Sequence, residues 1–582
     1  MKKFFLILLI FVLIPSLYSC VESAPPVNTP VVDEFEYTES GLRLMLNEDA
    51  QSYSVVGLGE CEETNITIPA SHNDLPITEI GEGAFKDNGI YTVEISQSVT
   101  TIKANAFYGC DSLRSIVIPD SVAVIGDNAF YDCDGLTSIS IPDSVHYLGN
   151  AAFYHCNRLQ NVVIGKSVLI INNDTFAYCR NLRSITLPQL LQSIGDRAFY
   201  MCDYITSIEI PSKVIRIGEE SFAQCCKLTS IVIPDSVRWI DAKAFEFCYK
   251  LESVKLPSNI TIINEYTFML CTSLKSIEIP LGVKVIGDSA FESCEALESV
   301  SIPKSVESIG GSAFWFCENL HSIDLPNTTT FKSIGGCAFA YSGLTSIVLP
   351  DSVTVLENQV FAGCENLASV KLPSTLTEIK FGAFQGCSSL EDIEIPESVK
   401  AIGETAFGGS SSLKSIKLPD TITKIEKQTF TNCDSLESFV VPSSVLEIGQ
   451  EAFYNCDNLK SVTLNEVLET IDNHAFRECF SLKTIIIPDS VTRIGDSAFR
   501  ECIALESIAL GSSVYSIGGL AFYRCSTLTE IFIPISVRFI YEDAFSECPL
   551  LKILCEAEEC PSNWRGFENY TNIIDWGYSK TE

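Results

Sequence analysis

One aromatic position recurs along most of this chain and constrains its fold more than any other feature. A phenylalanine, usually preceded by Ala and followed three residues later by Cys, occurs 21 times. Successive copies lie 23 residues apart, except for one spacing of 25 and two of 22. A fixed period of this length is typical of a solenoid, in which each copy forms one coil stacked on the next. The repeated residues are Phe85, Phe107, Phe130, Phe153, Phe176, Phe199, Phe222, Phe245, Phe268, Phe291, Phe314, Phe339, Phe361, Phe384, Phe407, Phe430, Phe453, Phe476, Phe499, Phe522 and Phe545.

Residues 113–133 (LRSIVIPDSVAVIGDNAFYDC) show the pattern of a single coil. Leu113, Ile116 and Ile118 alternate with other residues, which predicts a β-strand with one covered face. Pro119 lacks a backbone N–H and is expected to end that strand. Beyond it, apolar residues recur every three or four positions, which predicts a short helical or 3-10 return. The predicted fold is an α/β solenoid of about 21 coils with one parallel strand per coil.

The residue four positions before the repeated Phe is the second conspicuous slot of the coil. It is Gly126 in the example above, and Gly, Asn or Asp occupies it in 16 of the 21 copies. These three residue types tolerate a positive φ better than others do, so the pattern predicts a left-handed turn there.

The charge and composition of the chain limit its partners. The formal net charge is −35, and 46% of the residues are hydrophobic. So much apolar sequence is expected to form a continuous core and not a disordered chain. The negative charge argues against nucleic acid, whose phosphates require Lys and Arg, and against docking on anionic lipid. A solvated exterior is the preferred interpretation of the acidic residues, and an acidic ligand-steering surface is the alternative.

The first 19 residues have the composition of an export signal. Lys2 and Lys3 precede an apolar run that ends at Ile14 and is too short to span a bilayer. Residues 17–20 (LYSC) resemble the lipobox of bacterial lipoproteins, which implies cleavage before Cys20 and lipidation of its sulfur. An ordinary secretory signal with a coincidental Cys is the alternative. The Pro-rich residues 20–36 are predicted to form a flexible tether.

The cysteines follow the repeat as well. Of the 24 cysteines, 18 lie three residues after the repeated Phe, from Cys110 to Cys548. Stacked equivalents would have parallel Cβ vectors, which strains a disulfide, and a straight column offers no convergent metal site. The column is therefore interpreted as small buried packing residues. Whether Cys555 and Cys560 form a bridge stays open at this point.

The repeat L-x-S-I-x-I-P-x-S-V-x-x-I-G-x-x-A-F-x-x-C resembles the BspA-like class of leucine-rich repeats, over about residues 41–577. This resemblance implies a curved, right-handed solenoid, with a cap and first coil over residues 37–85 and repeats over 86–548. It also implies a C-terminal cap over 549–582, in which Trp564 and Trp576 cover the last coil. Members of this class occur on the surfaces of host-associated bacteria and some protists, and are associated with adhesion.

The residues that most often form catalytic and metal-binding sites follow no recognisable motif in this sequence. The five histidines are scattered among the coils, with no Glu or Cys at metal-ligand spacing. Asp132 and Asp134 before Gly135 resemble half of a calcium loop, but no ligating Glu follows. No hydrolase, zinc-protease or phosphate-loop motif occurs in the sequence. We expect neither an enzyme nor a bound metal or cofactor.

The outward positions of the predicted strands are the candidate binding surface. One outward slot is Ser in 15 of 19 regular coils, and the next one varies. The uniform serine column would form an even surface, and the variable column beside it would supply the side chains that a partner recognises. Ordinary β-propensity on an exposed sheet explains the same pattern. The candidate binding residues are Glu209, Lys255, Glu278, Asp324, Lys371, Glu394, Lys417, Ile486 and Phe532.

Aromatic residues beside the repeated Phe form a second candidate surface. They either serve as anchors for a partner or pack along the outside of neighbouring coils, and packing is the preferred interpretation. The band comprises Tyr108, Tyr131, Tyr154, Tyr200, Trp315, Phe316, Tyr454 and Tyr523.

Taken together, these features predict a monomeric lipoprotein on the bacterial cell surface, in the outer membrane if there is one. The lipid anchor would hold it to the membrane, and its solenoid would bind a protein or glycan on host or neighbouring cells. A structural scaffold that organises envelope proteins, without a host ligand, is the alternative function. A carbohydrate enzyme would need a carboxylate pair in a cleft.

Overall fold

Two ladders of parallel strands run along the molecule, because nearly every coil contributes one strand to each ladder. The computed structural model describes residues 35–567 and 573–579. The predicted signal peptide, Cys20 and almost all of the predicted tether lie outside the described residues.

The long-strand ladder is formed by strands that are mostly three or four residues long. Its strands are β4 (Asn65–Ile68), β7 (Thr92–Ile95), β9 (Ser115–Val117), β11 (Ser138–Ile141), β13 (Asn161–Ile164), β15 (Ser184–Thr186), β18 (Ser230–Val232), β20 (Ser253–Lys255), β22 (Ser276–Ile277), β24 (Ser299–Ser301), β26 (Ser322–Asp324), β28 (Ser346–Val348), β30 (Ser369–Lys371), β32 (Asp392–Glu394), β34 (Ser415–Lys417), β36 (Ser438–Val440), β38 (Ser461–Thr463), β40 (Thr484–Ile486), β42 (Ser507–Ala509), β44 (Glu530–Ile533), β46 (Lys552–Cys555) and β47 (Ile573–Trp576).

The short-strand ladder is formed by two-residue strands and was not predicted from the sequence. Its strands are β8 (Thr101–Ile102), β10 (Val124–Ile125), β12 (Tyr147–Leu148), β14 (Ile170–Ile171), β16 (Ser193–Ile194), β17 (Arg216–Ile217), β19 (Trp239–Ile240), β21 (Ile262–Ile263), β23 (Val285–Ile286), β25 (Ser308–Ile309), β27 (Ser333–Ile334), β29 (Val355–Leu356), β31 (Glu378–Ile379), β33 (Ala401–Ile402), β35 (Lys424–Ile425), β37 (Glu447–Ile448), β39 (Thr470–Ile471), β41 (Arg493–Ile494), β43 (Ser516–Ile517) and β45 (Phe539–Ile540).

The long strands have the one-sided burial that the sequence predicts. In β9, Ile116 is buried whereas Ser115 and Val117 are exposed. The register advances by one repeat from strand to strand, so that Ser230 lies opposite Ser253 in a parallel pair. The predicted stack of coils with a parallel strand in each is thereby confirmed.

The return path of each coil is not helical, contrary to the sequence-based prediction. It consists of consecutive turns: the N–H of Tyr108 donates to the carbonyl of Asn105 at 3.0 Å, and that of Cys110 donates to Phe107 at 3.2 Å. Asn105 and Gly109 have φ values of 56° and 68°. A left-handed residue at every fourth position cannot continue a right-handed helix, so hydrogen-bonded turns replace it.

The predicted left-handed turn at Gly126 is wrong in its position. Positive φ values occur instead at Asn128 and Asp132, two residues on either side of the repeated Phe. A Cβ atom on Gly126 would lie 2.6 Å from the backbone nitrogen of Ala104 in the preceding coil. The small residue therefore allows two coils to approach closely, and its backbone has an ordinary φ.

The repeated phenylalanines form one continuous stack through the core. Each ring lies parallel to the next, and centroids in the first two contacts, from Phe85 to Phe130, are 5.3 and 5.1 Å apart. The last contact, between Phe522 and Phe545, has a centroid distance of 5.4 Å. The backbone reinforces this stack, because the N–H of Phe107 donates to the carbonyl of Ala129 in the next coil at 2.8 Å.

The cysteine column lies beside the phenylalanine stack, and its members are buried thiols. The Cys133 Sγ donates to the carbonyl of Phe107, one coil earlier, at 3.2 Å. Ser410 occupies the same slot in another coil, where its Oγ donates to the carbonyl of Phe384 at 3.0 Å. The slot therefore favours a small buried donor. Cys555 and Cys560 are thiols as well.

Both ends of the stack carry additional strands. The N-terminal strands are β1 (Phe35–Tyr37), β2 (Arg43–Leu46), β3 (Tyr53–Gly57), β5 (Ser71–His72) and β6 (Leu75–Ile80). β2 pairs antiparallel with both β1 and β3, and β3 pairs in parallel with β6, which begins the short-strand ladder. At the C-terminal end, Trp564 is 4% exposed and packs on Phe567 and Trp576. Such caps cover apolar surface and strand edges that an open stack would expose.

The described residues include no helix that is long and apolar enough to cross a membrane.

Candidate functional site

Most of the predicted binding residues lie on the outward side of the long strands; Glu209 lies in a coil without a long strand, and Glu278 directly follows β22. We call this surface the long-strand face. Successive side chains of each strand point alternately to this face and to the buried core. Phe532 is half-buried, and its ring centroid lies 6.2 Å from that of Tyr578. The remaining candidates are exposed: Glu209, Lys255, Glu278, Asp324, Lys371, Glu394, Lys417 and Ile486.

These nine residues do not form a single compact site. Glu209 and Phe532 lie fourteen coils apart in the sequence. Parallel strands are about 4.8 Å apart, so the two residues are separated by roughly 70 Å along the ladder. The long-strand face is therefore suited to an extended partner or to one that uses only part of it.

The middle of the face brings charged candidates together. Glu394 in β32 lies opposite Lys417 in β34, and Lys371 in β30 lies opposite Val348 in β28. With Asp324, these residues form what we call the central strip. The Lys417 Nζ lies 3.5 Å from the Glu397 Oε1, and both side chains are largely exposed. Exposed ion pairs are weak, so the charges of the strip stay available to a partner.

A cleft of about 210 Å³ lies at one end of the central strip. It is lined by residues 322–325 of β26 and its continuation, by Asn327, and by residues 346–350. Here the long-strand ladder is interrupted, since β26 ends one hydrogen-bonded sheet and β28 begins another. The cleft therefore offers the Asp324 carboxylate, serine hydroxyls and backbone groups at one of the breaks in the ladder.

The cleft follows from the irregular coil between Phe314 and Phe339, in which the repeat is 25 residues long. The extra residues fall in the loop after β26, where Phe331 is 1% exposed and fills the core. Asn327 in the same loop donates to the Asp351 carboxylate of the next coil at 3.3 Å. The 25-residue spacing is the signal of this cleft in the sequence, although no site was predicted from it.

One group of side chains in the described residues could hold a metal ion, namely Asp132, Asp134 and His155, whose ligand atoms lie within 4.8 Å of one another. His155 Nδ1 is hydrogen-bonded to Asp132, and Asn157 Nδ2 lies 3.1 Å from His155 Nε2. Burial and the nearby carboxylates of Asp132 and Asp134 raise the pKa of Asp111. The group is therefore acidic, but both imidazole nitrogens already have partners.

The sequence singled out Asp132 and Asp134 but did not place His155 with them, because His155 is distant from both along the chain. Asp132 and His155 occupy the same position in consecutive coils, 23 residues apart. In a solenoid, residues one repeat apart are neighbours. Superposing the coils in the sequence would have placed His155 beside Asp132.

Part of the aromatic band, from Tyr108 to Tyr154, packs on itself along neighbouring coils, as the preferred interpretation expected. The rings of Tyr108 and Tyr131 are stacked with centroids 4.6 Å apart, and Tyr131 and Tyr154 repeat that distance. The Lys86 Nζ lies 4.6 Å from the centroid of the Tyr108 ring. These residues continue the internal packing of the coils towards the outside.

Comparison with known proteins agrees with this architecture. The family described as the BspA type leucine rich repeat region matches residues 78–203, 169–295, 240–364, 332–460 and 423–552, which overlap to cover most of the chain. No curated protein matches the chain.

Two solved structures illustrate the similarity. A leucine-rich repeat protein from Bacteroides ovatus is 28% identical with a TM-score of 0.55, and the match covers 75% of this chain and 99% of that one. A leucine rich cell surface protein from Faecalibacterium prausnitzii is 31% identical with a TM-score of 0.37, covering 66% and 94% of the two chains.

Proposed function

The chain belongs to the family of BspA-type leucine-rich repeat proteins, and from this premise we propose that it is a cell-surface protein that binds a protein or glycan partner on host or neighbouring cells. Proteins of this family are typically found at the cell surface and are typically non-catalytic. The proposed role is adhesion. A site for it must be argued from the surface of this chain, because a fold alone does not establish a function.

The proposed attachment to the cell rests on the N-terminal sequence. Cys20 follows a charged start and a short apolar run, as in a lipoprotein signal. Lipidation of Cys20 would hold the protein to a membrane by its acyl chains. Mass spectrometry of the N-terminal peptide, from protein purified out of the bacterium that produces it, tests this proposal. It distinguishes an acylated Cys20 from an unmodified one.

The observation that carries the binding proposal is the cleft between β26 and β28 with the charged strip beside it. Along this strip Asp324, Lys371, Glu394 and Lys417 are all exposed, and Val348, which is 63% exposed, lies between Asp324 and Lys371. Charges of both signs around an exposed apolar residue favour a polar partner with its own mixed charges. Opposite charges on such a partner would determine its register on the strands and accelerate its association.

A triple variant tests the long-strand face. Purified full-length protein is screened against extracellular-matrix proteins and a glycan array, and the affinity of any ligand is then measured for Lys371→Ala, Glu394→Ala and Lys417→Ala combined. We expect the triple change to weaken binding at least tenfold, which corresponds to about 1.4 kcal/mol.

The matched control changes the same residue types on the other ladder. Lys284, Glu307 and Lys332 lie on three successive coils beside the short strands, where Glu307 contacts both lysines. Their combined replacement by Ala should leave affinity within about twofold, since interface-remote charges contribute little. If the first triple variant binds as tightly as the control, the long-strand face is not the binding site. Co-purification with envelope proteins and no saturable host ligand would favour the scaffold function instead.

A further inference from the structure

A second cavity, of about 290 Å³, opens among the turn segments of four consecutive coils and on neither strand ladder. Its position makes it independent of the proposed binding face. Its walls include Glu292, Trp315, Cys337, Ala340, Tyr341 and Ala362.

The cavity exists because two coils carry alanine where others carry large side chains. The position after the repeated Phe is Tyr in coils such as those of Tyr131 and Tyr154, but it is Ala340 and Ala362 here. Both alanines are buried, with 1% and 3% exposure, and so form the floor of the cavity. Trp315 occupies the same position one coil before Ala340 and forms a wall.

The opposite wall depends on a glycine. The ring of Tyr341 is stacked on that of Phe316 with centroids 4.7 Å apart. A Cβ atom on Gly363 would lie 2.5 Å from Cε1 of Tyr341, so any larger residue would displace the ring. Gly363 has a φ of 69°, in the region that glycine adopts most readily. Aromatic rings thus border the cavity on two sides.

Glu292 supplies a carboxylate to this mostly apolar cavity. Its side chain is buried, with 8% exposure. Within residues 35–567 and 573–579, no hydrogen bond or salt bridge to its carboxylate is found, and Glu292 lines the cavity. An ionised carboxylate that is buried without a cationic partner is costly, and a bound cation would offset that cost.

We propose that this cavity binds an alkylammonium group, with its nitrogen beside Glu292 and its alkyl part between Trp315 and Tyr341. Aromatic faces attract organic cations, and a mostly apolar cavity with one charged group selects ligands that combine both features. The group belongs either to a free small amine or to a lysine side chain of a partner protein.

Calorimetric titration of the full-length protein tests the proposal, with n-butylammonium chloride as the ligand and butan-1-ol as its neutral counterpart. We expect saturable binding of the cation at roughly millimolar concentration, which suits a ligand of so few atoms. Glu292→Gln, which keeps the shape and removes the charge, should weaken binding at least tenfold. Glu246→Gln is the matched control, because Glu246 occupies the same position two coils earlier and should leave binding unchanged.

Ala340→Leu provides a second variant, since it fills the cavity without removing Glu292, and it should also abolish binding of n-butylammonium. Circular dichroism verifies that each variant is folded. The proposal is overturned if butan-1-ol binds as tightly as the cation, or if folded Glu292→Gln or Ala340→Leu binds like the wild type. Nα-acetyl-lysine amide distinguishes the sources: binding at least as tight as that of n-butylammonium indicates a lysine side chain, and weaker binding indicates a free amine.

Discussion

At the scale of single residues, the distance between coils decides which side chain fits a slot. Gly126 is the example, because its small size serves the close approach of the preceding coil and not an unusual φ. Where larger residues occupy the same slot, they form new contacts: the Asn264 Nδ2 donates to the carbonyl of Ile240 in the preceding coil at 2.6 Å. Coil-to-coil contact therefore accounts for both the glycines and the asparagines of this slot.

Replacement of Gly126 by Ala should destabilise the protein although its φ is ordinary. The added Cβ would lie 2.6 Å from the nitrogen of Ala104, so neighbouring coils must move apart. Overpacking of this kind costs about 1–3 kcal/mol. Gly89→Ala is the control, because nothing lies within 4 Å of a Cβ at that position. Urea unfolding of both variants should show a lower free energy of unfolding for Gly126→Ala alone; equal values would mean that the coils yield without cost.

At the scale of the structural element, the turn segment is the part of the coil that the sequence predicts least well. Apolar residues at spacings of three and four occur both in helices and in this series of turns, so the pattern does not separate them. The distinction depends on backbone angles, and here residues as different as Asp132 and Ala151 have positive φ values. Contacts between neighbouring coils together impose this conformation on residues that do not prefer it.

Ala151→Gly should therefore stabilise the turn that contains it. Ala151 has a φ of 51°, a conformation that is costly for a residue with a Cβ and not for glycine. We expect a gain of about 0.5–1 kcal/mol in the free energy of unfolding, measured by urea titration. Ala152→Gly provides the comparison, since Ala152 is fully buried and has no positive φ, and this change should destabilise. A loss of stability in both variants would contradict the assignment of strain to residue 151.

The strands, in contrast, could be predicted closely, because alternation across Ile116 requires only that one side of a strand be buried. The sequence also predicts the exposure of Lys371, Glu394 and Lys417. It does not predict the cleft beside Asp324, because the two extra residues of that coil could have formed a bulge on any side. The neighbours His155 and Asp132 were missed since their contact depends on the stack and not on local spacing.

At the scale of the whole molecule, the thiol column links stability to pH. Burial raises the pKa of the Cys110 thiol to about 12 and that of Cys364 to about 11. Burial likewise raises the pKa of Cys133 and Cys156. The unfolded chain exposes these thiols to water, where they lose their protons near pH 8.5. The column is therefore a set of neutral donors that the folded state protects from ionisation.

The free energy of unfolding should begin to fall between pH 7 and pH 8 and fall steeply above pH 9. Between the unfolded and the folded pKa values the folded state binds more protons, so rising pH favours the unfolded chain. Each such thiol contributes a loss of about 1.4 kcal/mol per pH unit in that range. Urea unfolding at pH 7, 8 and 10 in the presence of a reductant measures the effect.

A variant with Cys133, Cys156 and Cys179 replaced by Ser is the control for the alkaline loss. Serine occurs naturally in this slot at Ser410, where it keeps the hydrogen bond to the preceding coil. Because serine does not ionise in this range, the loss between pH 8 and pH 10 should be smaller in the variant. An identical loss would assign the effect to tyrosines, such as Tyr154, whose pKa is raised to about 12 mainly by burial.

The constant register of the ladders has a consequence for the gene as well as for the protein. Since residue 230 faces 253 and most later strands repeat that offset of 23, excision or duplication of one complete 23-residue copy leaves every remaining partner matched. Unequal crossing-over within the coding sequence would thus shorten or lengthen the rod in uniform increments while both termini stay intact. The 25-residue copy after Phe314 would keep its length through such events and would mark one position among the 23-residue copies.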